Sequence, residues 1–106
     1  MDPEIDVIDL SVPPALHIPF SIRALKAGKH IICEKPVTGY FGDPEAKDIG
    51  KTMKKSEMWR EVQKSLEELK QAVDASECKF MYAENFIYAT PVQKAAEILR
   101  AKKSKI

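Results

Sequence analysis

The chain has 106 residues, room for one domain but not two. Hydrophobic residues make up 44% and charged residues 31%, which excludes wholesale disorder. The net charge of +1 provides no global field for nucleic acid or an anionic membrane, so neither is expected as a partner.

No apolar run approaches the roughly 20 residues of a membrane span. The acidic start, Met1-Asp2-Pro3-Glu4, is unlike a secretory signal, so a cytoplasmic protein is expected. Cys33 and Cys78 sit in apolar segments without metal-ligand spacing and read as buried reduced thiols, and no metal site is expected.

In chain order, the β-branched run from Asp6 to Val12 reads as a strand halted by Pro13-Pro14. It is nearly continuously apolar, as a parallel strand covered on both faces would be, except for Asp9. A carboxylate there faces either a cleft or solvent. From Leu16 to Ala27, Ile18, Ile22 and Leu25 fall at helical spacing, with Pro19 in the first turn and Gly28 as the stop. His30 to Glu34 is a second strand, completing a βαβ unit. Val37 to Ser56 has no periodicity and carries Gly39, Gly42, Pro44 and Gly50. It is expected to be a long loop anchored by Tyr40 and Phe41.

Glu57 to Asp74 reads as a helix with Ser56 as its N-cap and an apolar stripe of Trp59, Val62, Leu66, Leu69 and Val73. Lys79 to Glu84 is a third strand. Thr90 is expected to cap a last helix, with Pro91 first inside it and Val92, Ala95, Ala96 and Leu99 on its apolar face. That helix ends in Arg100, Lys102, Lys103 and Lys105, which suits a helix C-terminus. The expected fold is therefore α/β, a three-stranded parallel sheet in the order β-α-β-loop-α-β-α, with residues 1–106 forming a single unit.

In open parallel sheets, ligands bind beyond the carboxyl ends of the strands. Three polar clusters fall there: Ser11, Pro13, Pro14 and His17; Glu34, Lys35 and Pro36; Glu84 and Asn85. Lys35 is the candidate for catalysis, because a lysine partly withdrawn from water can pass a proton to or from a substrate oxygen. Pro36 restricts the backbone before it to extended conformations. Glu34 could accept from a ribose hydroxyl or orient Lys35 as an ion pair. The plainer alternative is a surface Glu-Lys pair that closes a strand. His17, near a helix start, could equally serve only a nearby backbone or carboxylate group.

These residues resemble the Gfo/Idh/MocA family of NAD(P)-dependent oxidoreductases, which act on sugars, cyclitols and related alcohols. The resemblance rests on Asp6-Val7-Ile8 with Pro13 and His17, on Ala24-Leu25-Lys26-Ala27-Gly28-Lys29-His30, on Cys33-Glu34-Lys35-Pro36, and on Tyr82-Ala83-Glu84-Asn85-Phe86. It implies that Ser11, Val12 and Pro13 line the nicotinamide side of a cofactor pocket, with His17 close by. It implies that Glu34 contacts the nicotinamide ribose, that Lys35 lies between nicotinamide and substrate, and that Asn85 lies near the substrate or the cofactor edge.

Two positions depart from the family pattern. Val12 stands where a threonine is common, and Ile87 and Tyr88 stand where an arginine often follows the Asn85 position. The family's glycine-rich phosphate turn has no counterpart among the four glycines, at 28, 39, 42 and 50. Its substrate domain and catalytic Asp and His also have none.

The resemblance thus implies the second half of a Rossmann domain from a longer NAD- or NADP-dependent protein. Alone it is expected to bind no cofactor and to be inactive. Alternatives are a shortened binding or assembly module, or an oligomer that keeps some activity. The bare edge of strand 6–12 is expected to draw the chain into a homo-oligomer.

Overall fold

The computed structural model describes residues 2–43 and 45–103. The chain forms strand β1 (Val7–Leu10), a 3-10 turn (Pro14–Leu16), helix α1 (His17–Lys26) and strand β2 (His30–Glu34). A short helix α2 (Ile49–Thr52), helix α3 (Lys55–Asp74) and strand β3 (Phe80–Ala83) follow. A second 3-10 turn (Asn85–Tyr88) then leads into helix α4 (Thr90–Ala101). The strands form one parallel sheet in the order β1-β2-β3, as the sequence predicts.

The pleat explains the core. Residues two apart share a face, so Ile8 and Leu10 of β1 align with Ile31 and Cys33 of β2. Ile31 and Cys33 are fully buried and Leu10 nearly so. Helix α1 lies over this face with Ile18, Ala24 and Leu25 inward, and α3 packs against α1 and adds Leu69. Gly28 ends α1 at φ +72, a conformation that costs a glycine little. His30 Nδ1 then accepts from the Lys79 N–H at 2.9 Å, tying the start of β3 to β2.

The opposite face of the sheet is open. Val7, Asp9 and Met81 on it are exposed and Ile32 is half-buried. The expectation of a strand covered on both sides therefore fails, because the helices that reach the sheet pack on one face. That also resolves Asp9, which points to solvent. The chain is flat and open, with a radius of gyration of 17.3 Å against about 13 Å for a compact domain of this size.

Several expected boundaries move. β1 is shorter than 6–12. The region 37–56 is not wholly irregular, because α2 forms within it after Asp48, which has a left-handed φ of 54°. The φ of +64° at Gly42 lets the loop turn under Ile49. Pro44 and Lys105 lie outside the described residues. Ser56 is not a cap, since α3 begins at Lys55 and its N-cap position, Lys54, makes no side-chain capping bond. Thr90 likewise falls inside α4, with Ala89 in the cap position. Trp59 is 63% exposed despite its place in the stripe, because the first turns of α3 run past the core. Burial along α3 concentrates at Leu69, with Leu66, Ala72 and Val73 partly covered.

Candidate active site

A parallel sheet sends all its carboxyl ends to one side, so Leu10, Glu34 and Ala83 end their strands together there. At the end of the central strand, the Lys35–Pro36 peptide is cis. Glu34 Oε2 accepts from the Lys35 backbone N–H at 3.1 Å. The carboxylate is thus used on the main chain. Among the described residues no Glu34–Lys35 ion pair forms within 4.0 Å, so of the two roles left open for Glu34 the ion pair is not made. The reason is local, since folding the short Glu34 side chain back onto the next amide turns it from the Lys35 ammonium, which extends into solvent.

Glu34 and Lys35 line one wall of a cleft of about 370 Å³. The other wall comes from the end of β3 and the turn after it: Tyr82, Ala83, Glu84, Asn85 and Tyr88. The cleft thus brings together the predicted Glu34, Lys35 and Asn85. The Tyr82 hydroxyl donates to Glu84 Oε2 at 3.4 Å, and Glu84 Oε1 accepts from the Phe86 N–H at 3.1 Å, capping the 3-10 turn. Partial desolvation, and then the Glu84 carboxylate, hold the Tyr82 phenol above its usual range, so it remains a donor through neutral pH. The sequence reading assigned no role to Tyr82 or Tyr88. For Tyr82 a signal existed, because it lies two residues before Glu84 and the strand period puts the pair on one side.

The cluster after β1 lies on the other flank of β2, and its residues do not line this cleft. Ser11 is exposed and its hydroxyl donates to Asp9 Oδ1 at 3.4 Å. Val12 is half-buried and Pro13 exposed. His17 connects the flanks. It is 1% exposed, with Nδ1 2.8 Å from the Pro36 carbonyl oxygen and Nε2 2.9 Å from that of Val12. A neutral imidazole carries one N–H, so the tautomer decides which carbonyl receives it. With both ring nitrogens turned to the backbone, His17 reaches the cleft only through the segments it joins. The resemblance placed His17 close to the cofactor pocket, and in this fold both of its ring nitrogens face backbone carbonyls.

Beneath the site, burial first and the Glu34 charge second push the Cys33 thiol up, and the Ser21 hydroxyl opposes them. Ser21 Oγ is fully buried and has no hydrogen-bond partner of good geometry among the described residues, so that opposition is weak. Cys33 and Cys78 are both free. No group of three metal-ligating side chains gathers among the described residues, and no helix there is long and apolar enough to cross a membrane.

A parallel sheet with polar groups gathered at its carboxyl ends defines an α/β protein of the nucleotide-binding type. The chain belongs to the Gfo/Idh/MocA oxidoreductase family, NAD-binding Rossmann fold, whose model matches residues 1–84.

Among curated proteins it is similar to levoglucosan dehydrogenase of Pseudarthrobacter phenanthrenivorans, 56% identical over 36 residues, covering 34% of this chain and 9% of that protein. It is also similar to dTDP-3,4-didehydro-2,6-dideoxy-alpha-D-glucose 3-reductase of Streptomyces violaceoruber, 45% identical over 40 residues, covering 38% and 12%. An NAD binding oxidoreductase from Klebsiella pneumoniae superposes with a TM-score of 0.64 at 27% identity, covering 94% of this chain and 21% of that one. Myo-inositol 2-dehydrogenase from Lactobacillus plantarum, at 19% identity and a TM-score of 0.67, shares the fold; 94% of this chain covers 23% of it. The chain thus spans about a fifth of these solved structures, and its matches span about a tenth of the two curated relatives.

Proposed function

We propose that this chain is the second half of the nucleotide-binding domain of a cytoplasmic NAD(P)-dependent oxidoreductase acting on a sugar, cyclitol or related alcohol. The observation that carries the reading is the cleft joining Glu34 and Lys35 to Asn85 at the carboxyl ends of β2 and β3. The relatives named for sugar substrates support the substrate class.

The residues fit one end of such a cofactor and not the whole of it. A cleft of about 370 Å³ with a carboxylate and an ammonium suits a ribose and a reacting oxygen. No glycine spacing in this sequence forms a pyrophosphate cradle. The chain by itself therefore leaves a dinucleotide unheld and is inactive.

In the assembled protein, a bound nicotinamide would supply hydride transfer to or from the alcohol carbon, and Ser11, Val12, Pro13 and Glu34 are the residues that would border it. Lys35 Nζ holds the substrate oxygen and passes the hydroxyl proton. Glu34 meets the ribose once it leaves the Lys35 amide. Ser11, Val12 and Pro13 border the nicotinamide side, and Asn85 hydrogen-bonds the substrate. His17 holds the Val12 and Pro36 backbones in register with each other, which positions Lys35. The free edge of β1, with Val7 46% exposed, takes a further strand of the same sheet or the edge of a second copy.

Calorimetric titration of the chain with NAD and with NADP tests the first claim. No heat of binding is expected, and tight binding of either would overturn it. In the longer protein carrying this segment, Lys35→Met should lower kcat by about 10²–10⁴-fold. An unchanged kcat would remove Lys35 from the chemistry.

A further inference from the structure

A larger cleft lies away from the strand ends. It measures about 520 Å³ and lies between α1, the loop after β2 and α3, with Ile18 and Ile22 as its floor and Phe41 as one wall. A second cleft of about 450 Å³ shares Ile22 and Glu68 with it and continues along α3 to Ala72 and Ala75. Together they form one groove from Glu61 to Ala75, about 21 Å at 1.5 Å per helical residue. Two carboxylates, Glu61 and Glu68, stand on its rim about 10 Å apart. Neither has a cation within 4.0 Å among the described residues.

Helix α4 has the opposite character. Its 12 residues span about 18 Å. Among the described residues its one extensive neighbour is the Asn85–Tyr88 turn, so it stands off the core. Val92 and Ile98 are each 45% exposed, and Ala95, Ala96 and Leu99 lie on the same broad arc. The arc ends in Arg100, Lys102 and Lys103, none of which forms an ion pair among the described residues. Length, apolar surface and charge therefore match between the groove and the helix. Lys26, the cation bordering the groove, sits in the Ala75 half, away from Glu61.

We propose that α4 of a second copy of this chain lies in the α1–α3 groove, with its basic end beside Glu61 and Glu68. This is helix-in-groove recognition, in which apolar burial supplies the affinity and the charges set the direction. One helix in one groove is small against the about 800 Å² per partner of a stable interface. Reciprocal exchange about a two-fold axis doubles the contact and closes the assembly. The dimer is accordingly expected to be weak and concentration-dependent. The contact is separate from the free edge of β1.

Light scattering and sedimentation equilibrium over a concentration series test the proposal, with circular dichroism to confirm that each variant is folded. The wild-type chain is expected to shift from monomer to dimer. Glu61→Lys with Glu68→Lys gives a basic groove facing a basic helix, and Arg100→Glu with Lys103→Glu gives an acidic helix facing an acidic groove. Each double variant is expected to be monomeric alone, and the two are expected to form a heterodimer when mixed, because both contacts then match. A wild-type monomer at the highest soluble concentration would overturn the proposal, as would a mixture that does not pair. A dimer that Val7→Lys dissolves while both charge reversals leave it intact would place the contact at the β1 edge and likewise overturn it.

Discussion

His17 is the residue whose removal should reveal most about the site. Its ring joins the carbonyls of Val12 and Pro36, at 2.9 and 2.8 Å, across the ends of β1 and β2. His17→Phe keeps an aromatic ring in the buried position but removes both nitrogens. A net hydrogen bond contributes about 0.5–1.5 kcal/mol, and leaving a buried acceptor unpaired costs about 1–3 kcal/mol. Each ring nitrogen faces a different carbonyl, so a neutral ring donates to only one of them, and Pro36 is exposed, so water can serve its carbonyl. The expected loss is about 1–3 kcal/mol. That is a large share of the stability of a chain with only seven buried apolar residues among those described. His17→Ala should lose more, because it adds a cavity. Urea unfolding followed by circular dichroism gives the difference, with the slope checked for constancy. Amide resonances of Lys35 and Val37 should shift in His17→Phe beyond those of residues distant from the turn. If His17→Phe matches the wild type in midpoint and leaves those amides in place, the ring does not hold the two segments together.

The remaining predictions concern the core, the loop and α3. Burial and the Glu34 charge raise the Cys33 thiol above its ordinary 9.0, so the native state holds that proton more tightly than the unfolded chain does. Its contribution to stability is complete below the unfolded thiol's value and is lost as pH rises through the native one. Urea midpoints at increasing alkaline pH should therefore fall less steeply above the unfolded thiol's value in Cys33→Ala than in the wild type, and parallel curves would count against the shift. At neutral pH a thiol reagent should label half-buried Cys78 before buried Cys33 in the native chain; the reverse order by mass mapping would show the core to be open. Gly42→Ala forces a side chain into φ +64 and displaces Ile49, at a cost of about 1–2 kcal/mol. Resonances in α2 should move with it, and an unchanged loop spectrum would refute that contact. Trp59 should fluoresce as a solvated indole and be quenched readily by acrylamide, whereas a protected indole would mean that its face is covered in solution.

Much of the architecture was legible because it is written in periods. The apolar runs at Val7–Leu10 and His30–Glu34, the helical spacing of Ile18, Ile22 and Leu25, and the Gly28 stop all survive folding, since each depends on near neighbours. The candidate cleft was legible for a topological reason, because parallel strands must present Glu34, Lys35 and Asn85 on the same side. Helix starts were less so. Ser56 and Thr90 have capping side chains, yet the helices begin two positions and one position earlier, respectively, than those caps require and take both residues into their first turns.

By itself, the sequence determined the strands, the three longer helices, the order that makes the sheet parallel, and the family, because local pattern and short motifs suffice for these. Tertiary structure decided what each polar group does with its hydrogen bonds. His17 faces Val12 and Pro36, five and 19 residues away, and Glu34 spends a carboxylate oxygen on the amide that follows it. It also decided which surfaces remain bare: one face of the sheet, Trp59, and the α1–α3 groove beside an unpacked α4. Burial depends on what packs across the chain, and no local period specifies it.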